Sequence, residues 1–148
     1  MNPESERQSG VTTGPMTGLS HVQLRVTDVT ASAEWYAAVL GLAPFQADPA
    51  IGYVALRHLT SGVVIVLTTD TSGSWHAEGG ALDHLAFAVP DGAALEAWAD
   101  HLTSLGIHHA GVRPENGNPS LQLLDPDGTA VELVAPRPPA GRRSGPDG

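Results

Sequence analysis

The run GLSHVQLRV, residues 18–26, alternates between apolar and polar positions. Its apolar positions are Val22, Leu24 and Val26, and the positions between hold His21, Gln23 and Arg25. Because successive side chains of a strand point to opposite faces, this pattern predicts a strand with one apolar and one polar face. The polar face carries groups that can bind a ligand.

Two later segments, residues 30–40 and 92–105, have the apolar spacing of amphipathic helices. Their capping candidates are Asp28 or Thr30 and Asp91, and the glycines that can end them are Gly41 and Gly106. Further strands are predicted over residues 43–47, 52–58, 63–69, 81–89, 107–112, 120–124 and 129–135. The last two flank Asp-Pro-Asp-Gly, residues 125–128, which suits a type I turn.

The pattern occurs twice. An offset of 63 residues takes His21 to His84 and Trp35 to Trp98, and further along an offset of 66 takes Val66 to Glu132. We therefore predict an α+β fold of two βαβββ modules that form a cupped mixed sheet. The modules are assigned to residues 18–70 and 81–136, with a linker over 71–80 and disordered tails over 1–17 and 137–148.

Composition narrows the classes of function. The chain of 148 residues carries a formal net charge of −9, which argues against binding to nucleic acid or to an anionic membrane. It has no cysteine, so thiolate nucleophiles and cysteine-based zinc sites are excluded. The sequence shows neither a signal peptide nor an apolar run long enough to span a bilayer, so we expect a cytoplasmic protein.

The repeat singles out a possible metal site. His21 and His84 hold the same strand position in the two modules, and Glu132 falls among apolar neighbours on the corresponding face of the closing strand. An unpaired carboxylate there would be costly, and two histidines with a metal would compensate it. Two imidazoles and one carboxylate leave coordination positions open and suit Fe(II), Mn, Co, Ni or Zn. The other five histidines have no mate at the repeat offset.

The segments HVQLRVTDVTASAEWYAAVLGL, LDHLAFAVPDGAALEAWADHLTSLGI and LLDPDGTAVELVAP resemble the vicinal oxygen chelate superfamily, over about residues 18–136. This superfamily includes glyoxalase I, extradiol dioxygenases, methylmalonyl-CoA epimerase, and fosfomycin- and bleomycin-resistance proteins. The resemblance implies that His21, His84 and Glu132 bind one divalent metal. It also implies a small-molecule substrate held through two vicinal oxygens, and a homodimer.

Departures from the subfamilies keep several activities open. The second glutamate of glyoxalase I is replaced by Val66, and the histidine and tyrosine of extradiol dioxygenases by Arg113 and Gln122. Fosfomycin-resistance enzymes carry a threonine where this chain has Gln23. The expectation is a metal-dependent lyase or isomerase, or a dioxygenase; the alternative is a drug-sequestering protein of the bleomycin-resistance type. Candidate catalytic residues are Glu132, Gln122 and Arg113, and candidate substrate-pocket residues are Gln23, Arg25 and Tyr53.

Overall fold

The computed structural model describes residues 14–71, 80–115 and 117–138. The first module contains β1 (Val22–Val26), α1 (Val29–Leu40), β2 (Ala43–Asp48), β3 (Tyr53–Arg57) and β4 (Val64–Thr69). The second contains β5 (His84–Ala88), α2 (Gly92–Ser104), β6 (Arg113–Glu115), β7 (Asn118–Leu124) and β8 (Ala130–Val134). Most of the predicted tails and linker lies outside the described residues.

The strands form two four-stranded mixed sheets with the same connectivity. Their orders are β1-β4-β3-β2 and β5-β8-β7-β6, and in each sheet the first strand runs parallel to its neighbour while the other pairs are antiparallel. Gln23 pairs with Val66 in one sheet and Ala86 pairs with Glu132 in the other. The register therefore puts Val66 and Glu132 in equivalent places, and the predicted pair of βαβββ modules is confirmed.

Both helices begin at the predicted aspartates. The Asp28 carboxylate accepts a hydrogen bond from the Ala31 amide at 3.0 Å, and the Asp91 carboxylate accepts one from the Ala94 amide at 2.8 Å. These bonds satisfy amides that the first helical turn leaves without partners. Gly41 follows α1 with φ +72°, a left-handed conformation that ends a helix and that side chains with a Cβ rarely adopt.

The prediction of a strand over residues 107–112 is wrong. Gly106 and Gly111 have φ values of +70° and +81°, which interrupt extended backbone at both ends of this segment. The strand that pairs with β7 is β6, which begins at Arg113. It is short and contains Pro114, so its pairing with β7, not its own propensity, makes it a strand.

The helix-facing sides of the sheets and the helices form one hydrophobic core that includes residues of both modules. Polar contacts also join the modules, and they include hydrogen bonds from the amide and the hydroxyl of Thr27 to the Asp127 carboxylate. The Tyr36 hydroxyl donates to Oδ2 of Asp125 at 2.9 Å, and Nε2 of His101 donates to the Val39 carbonyl at 3.0 Å. The Tyr36 bond links α1 to the β7–β8 turn, and the His101 bond links α2 to the end of α1. No helix in the described part of the chain has the length and apolar character needed to cross a membrane.

Candidate metal site

Two of the predicted metal ligands lie side by side on the face of the second sheet that points away from its helix. His84 begins β5 and Glu132 lies in the neighbouring strand β8, with Nε2 of the histidine 3.4 Å from Oε2 of the glutamate. Glu132 is only 4% exposed, whereas the His84 side chain is 44% exposed. The buried carboxylate therefore faces an imidazole that solvent, or a ligand, can reach.

Asp83 fixes the orientation of the His84 ring. Nδ1 of His84 donates to Oδ2 of Asp83 at 2.7 Å, which leaves Nε2 directed at Glu132. The Asp83 hydrogen bond raises the pKa of His84, and the Glu132 carboxylate adds to that effect. Metal-binding histidines commonly hold their second ring nitrogen in this way, with a carboxylate that sets the tautomer and increases ligand basicity. The acidic residue directly before the strand histidine was a signal available in the sequence.

The structure does not bring His21 to this pair. His21 is exposed, and its Nδ1 contacts the Ser20 hydroxyl at 3.1 Å. Among residues 14–71, 80–115 and 117–138 of a single chain, no group of three or more histidine, aspartate or glutamate side chains could hold a metal ion. One chain thus assembles two of the three predicted ligands, and the assignment of His21 stays a prediction.

The predicted catalytic residues Gln122 and Arg113 differ in their distance from this pair. Gln122 lies beside Glu132 in the register between β7 and β8, so both side chains share one face. Its Nε2 donates to Oε2 of Glu115 at 3.3 Å. Arg113 lies on the outermost strand of the sheet, where its Nε donates to the Ala110 carbonyl at 3.3 Å. The geometry therefore connects Gln122 to the site more directly than Arg113.

Glu115 is a residue that the sequence reasoning missed. It ends β6, accepts the hydrogen bond from Gln122, and its charge contributes to raising the pKa of His84. It is exposed, unlike Glu132. No periodic pattern along the chain marks Glu115, because its approach to Gln122 depends on how the β6–β7 hairpin is folded. Glu115 adds a solvent-accessible carboxylate beside the candidate metal site.

The predicted pocket residues lie on the equivalent face of the first sheet. Arg25 pairs with Thr68 and Thr68 pairs with Tyr53, so these three side chains form one row across β1, β4 and β3. The neighbouring row is Gln23, Val66 and Ala55. Val66 is 5% exposed and Ala55 is 1% exposed. This face therefore offers polar groups from β1 and Tyr53 beside an apolar floor.

The described part of the chain has two notable concavities. One of about 410 Å³ is lined by residues 106–110, by residues 122–124 and by Ala130. The other, of about 310 Å³, lies between the modules, and its lining includes Leu40, Phe87 and Trp98. The second is mostly apolar and is not lined by His84 or Glu132. The first is likewise not lined by His84 or Glu132, although its lining includes Gln122, which pairs with Glu132.

Comparison with known proteins gives a family match and a set of similar folds. The family model described as Glyoxalase/Bleomycin resistance protein/Dioxygenase superfamily matches residues 18–133. A glyoxylase/bleomycin resistance protein/dioxygenase domain from Frankia sp. EAN1pec is 24% identical, covers 83% of this chain and 100% of its own, and superposes with a TM-score of 0.73. Among curated proteins, no sequence matches this chain.

Two further solved structures share the fold at lower identity. Lactoylglutathione lyase from Agrobacterium tumefaciens is 21% identical, with 84% of this chain and 97% of that chain covered and a TM-score of 0.69. The fosfomycin resistance protein FosX from Listeria monocytogenes is 20% identical, with 82% and 95% covered and a TM-score of 0.64. At these identities the similarity establishes the fold and not the reaction.

Proposed function

Because the chain belongs to the Glyoxalase/Bleomycin resistance protein/Dioxygenase superfamily, we propose that it is a divalent-metal-dependent enzyme that acts on a small molecule with two adjacent oxygen atoms. The observation that carries this proposal is the buried Glu132 carboxylate, 3.4 Å from Nε2 of His84. A carboxylate withdrawn from water needs a cationic partner, and a metal ion shared with the histidine provides one.

The residues present fit such an ion. His84 and Glu132 are nitrogen and oxygen donors of the kind that Fe(II), Mn, Co, Ni and Zn accept, and His21 is the proposed third donor. When bound, the metal would polarise a substrate oxygen as a Lewis acid. Asp83 holds the His84 ring by its Nδ1, so that Nε2 keeps its orientation whether or not a ligand is present.

The neighbouring side chains favour lyase or isomerase chemistry over oxygenation. That chemistry needs a base that takes a proton from the carbon beside a carbonyl, and Glu115 is an exposed carboxylate on the substrate side. Gln122 holds one Glu115 oxygen and leaves the other available. Amide and guanidine side chains are not acid–base catalysts at neutral pH, so Gln122 and Arg113 do not replace the histidine and tyrosine of a ring-cleaving dioxygenase.

Metal content is the first test. We expect protein purified without chelator, or loaded with Zn²⁺ and desalted, to retain the metal, and Glu132→Gln and His84→Ala to release it. His108→Ala removes an exposed histidine outside the pair and is the control for metal retention. Full retention of metal by both Glu132→Gln and His84→Ala, or its absence from the wild type, would overturn the proposal.

The reaction class is tested with the metal-loaded protein. Small α-hydroxycarbonyl compounds incubated in D₂O should exchange the hydrogen next to the carbonyl, which NMR detects directly. A panel of catechols, followed with an oxygen electrode, tests for ring cleavage. Exchange without oxygen consumption supports the lyase or isomerase assignment, and oxygen consumption without exchange assigns a dioxygenase instead.

A second candidate is a protein that binds a drug-like molecule without turnover. The apolar cavity of about 310 Å³ between the modules favours it, because a mostly apolar lining with few polar groups is typical of small-molecule sites. His58 and Ser61 are the polar residues that contribute to this lining. Binding of an apolar dye that survives His84→Ala but weakens with Trp98→Ala would support this candidate.

A further inference from the structure

The cavity between the modules is bounded by side chains of both of them. Leu40 and Val63 belong to the first module, and Phe87, Trp98 and Leu133 belong to the second. Its volume is about 310 Å³, within the range of small-molecule sites. Since an apolar cavity of ~150 Å³ binds one benzene molecule, this cavity has room for roughly two rings.

The cavity lies on the other side of the second sheet from the candidate metal site. Phe87 pairs with Leu133 in the register between β5 and β8, and Leu133 directly follows Glu132. Because successive side chains of a strand point to opposite faces, Phe87 and Leu133 face away from Glu132. A molecule held against them therefore binds without reaching the candidate metal site.

His58 supplies the cavity with a free hydrogen-bond donor. Its Nδ1 accepts a hydrogen bond from the Ser61 amide at 3.3 Å and is 2.7 Å from the Ser61 hydroxyl. A backbone amide only donates, so Nδ1 carries no hydrogen and the ring hydrogen is on Nε2. In the described part of the chain Nε2 has no hydrogen-bond partner, and no buried side-chain nitrogen or oxygen lacks one, so Nε2 is accessible.

The lining excludes a charged ligand. Its side chains, which all belong to the described ranges, include no aspartate, glutamate, lysine or arginine, and the His58 ring with hydrogen on Nε2 alone is neutral. An ionised group that entered would lose its hydration without an opposite charge to compensate it. The lining includes the aromatic rings of Phe87 and Trp98, which pack well against a further ring. The ligand is therefore neutral, and aromatic rings suit it.

The hydrogens that the lining side chains leave free define the polar group of the ligand. The Ser61 hydroxyl donates to His58 and accepts from the Val63 amide at 3.3 Å, so its hydrogen is already used. The indole nitrogen of Trp98 and Nε2 of His58 act as donors. A carbonyl oxygen accepts such hydrogens and brings none of its own, so it fits this lining better than a hydroxyl or an amine.

We propose that the cavity between the modules binds a neutral two-ring aromatic carbonyl compound, with its rings against Phe87 and Trp98 and its carbonyl oxygen accepting from Nε2 of His58. This inference names the ligand class for the second candidate function given above and rests on that candidate's cavity. It does not need the candidate metal site, because neither His84 nor Glu132 lines the cavity.

Three naphthalene compounds with different substituents at the same ring position test the ligand class by calorimetry. Acetylnaphthalene carries the carbonyl, ethylnaphthalene lacks it, and naphthoate carries a charge. We expect one acetylnaphthalene per chain, bound about 5-fold more tightly than ethylnaphthalene because it gains one hydrogen bond. Naphthoate should bind at least about 10-fold more weakly than acetylnaphthalene, because its carboxylate loses hydration and finds no cation.

Variants of the lining test the position of the ligand. His58→Phe keeps a ring but removes the Nε2 hydrogen, so acetylnaphthalene should bind only as tightly as ethylnaphthalene, whose affinity stays unchanged. Ser61→Ala loosens the same turn and keeps that hydrogen, so the preference for acetylnaphthalene should persist. Val63→Phe fills the cavity and should abolish binding of both compounds. Val54→Phe enlarges a half-buried valine outside the lining and is the matched control.

A second measurement does not depend on the folding of a variant. The carbonyl carbon resonance of isotopically labelled acetylnaphthalene moves downfield when the oxygen accepts a hydrogen bond, so it should shift downfield, relative to the compound in an apolar solvent, on binding to the wild type. A bound compound without that shift would overturn the contact with His58.

The outcomes separate this inference from the proposed function. Equal wild-type affinities for acetylnaphthalene and ethylnaphthalene, or a preference that persists in His58→Phe, overturn the inference and leave the second candidate, which needs only an apolar molecule in the cavity. Naphthoate bound as tightly as acetylnaphthalene, or binding that survives Val63→Phe, also overturns the inference. A wild type that binds none of the three compounds and no apolar dye overturns the inference and the second candidate together. Metal content is measured separately, so the metal-dependent function is decided by its own test.

Discussion

Substitution of Tyr36 by phenylalanine tests the contact that joins the two modules. Tyr36 is fully buried, Asp125 is 5% exposed, and the phenol donates to the carboxylate at 2.9 Å. Burial, together with the adjacent Asp125 carboxylate, raises the pKa of Tyr36 far above its usual range, so the hydroxyl remains a proton donor at any pH at which the protein is folded. Tyr36→Phe removes this donor and changes nothing else in size or shape.

The expected effect follows from the burial of the acceptor. The other Asp125 oxygen already accepts from the amides of Thr129 and Asp127, at 2.8 and 2.9 Å, so these bonds do not replace the lost one. A hydrogen bond to a charged group contributes about 2 kcal/mol, and a buried oxygen left without a partner retains its desolvation penalty. Since urea slopes for small domains are about 1–3 kcal/mol per molar, the unfolding midpoint should fall by roughly 1 M.

Urea unfolding followed by tryptophan fluorescence measures this loss. The control is Tyr53→Phe, which removes the same atom from a half-buried tyrosine whose hydroxyl has no hydrogen-bond partner in the described part of the chain. All variants are compared at one protein concentration, because the unfolding midpoint of any self-associating protein depends on concentration. A double-mutant cycle with Asp125→Asn isolates the pair. The reasoning is refuted if Tyr36→Phe unfolds at the same urea concentration as Tyr53→Phe.

Three further predictions concern charged residues. Burial raises the pKa of Asp125, so the folded state binds its proton more tightly than the unfolded state, and this contribution to stability is full below the unfolded pKa and lost as pH rises through the folded one. The free energy of unfolding from urea curves is measured against pH for the wild type and for Asp125→Asn, and the difference between the two profiles isolates the contribution of Asp125. Profiles that run parallel across the acidic range would contradict this prediction. Asp83→Asn should weaken Zn²⁺ binding by about 10-fold in calorimetry, because His84 loses the carboxylate on its Nδ1; unchanged affinity would exclude that role. Glu115→Gln should slow hydrogen exchange of the substrate by about 100-fold with metal content unchanged, and an unaltered rate would remove Glu115 as the base.

The periodic features of the fold could be predicted from the sequence. Helix caps at Asp28 and Asp91 and the duplication at a fixed offset are local or repeated signals, and the register of Val66 and Glu132 confirms the alignment of the modules. The wrong prediction of a strand over residues 107–112 shows where sequence patterns stop being sufficient. Glycine conformations at its ends, and pairing with β7, decided where that strand begins.

The site could be predicted only in part. The proximity of His84 and Glu132 follows from parallel pairing within one module, which strand patterns encode. The position of His21 relative to them depends on how modules pack, and no period along the chain carries that information. Glu115 likewise reaches Gln122 through the shape of a hairpin, and Asp83 was missed although it directly precedes a strand histidine.

Val66 and Glu132 hold equivalent places in sheets of identical connectivity, yet Val66 is apolar and Glu132 carries a carboxylate. A small molecule that contacted both faces would meet an apolar side chain on one and a carboxylate on the other. The distribution of polar groups along that molecule would then set its orientation. A single pair of side chains therefore breaks the pseudo-symmetry of the two modules. A molecule with the same groups at both ends has no preferred orientation between an apolar and a charged face, and we expect it to bind weakly.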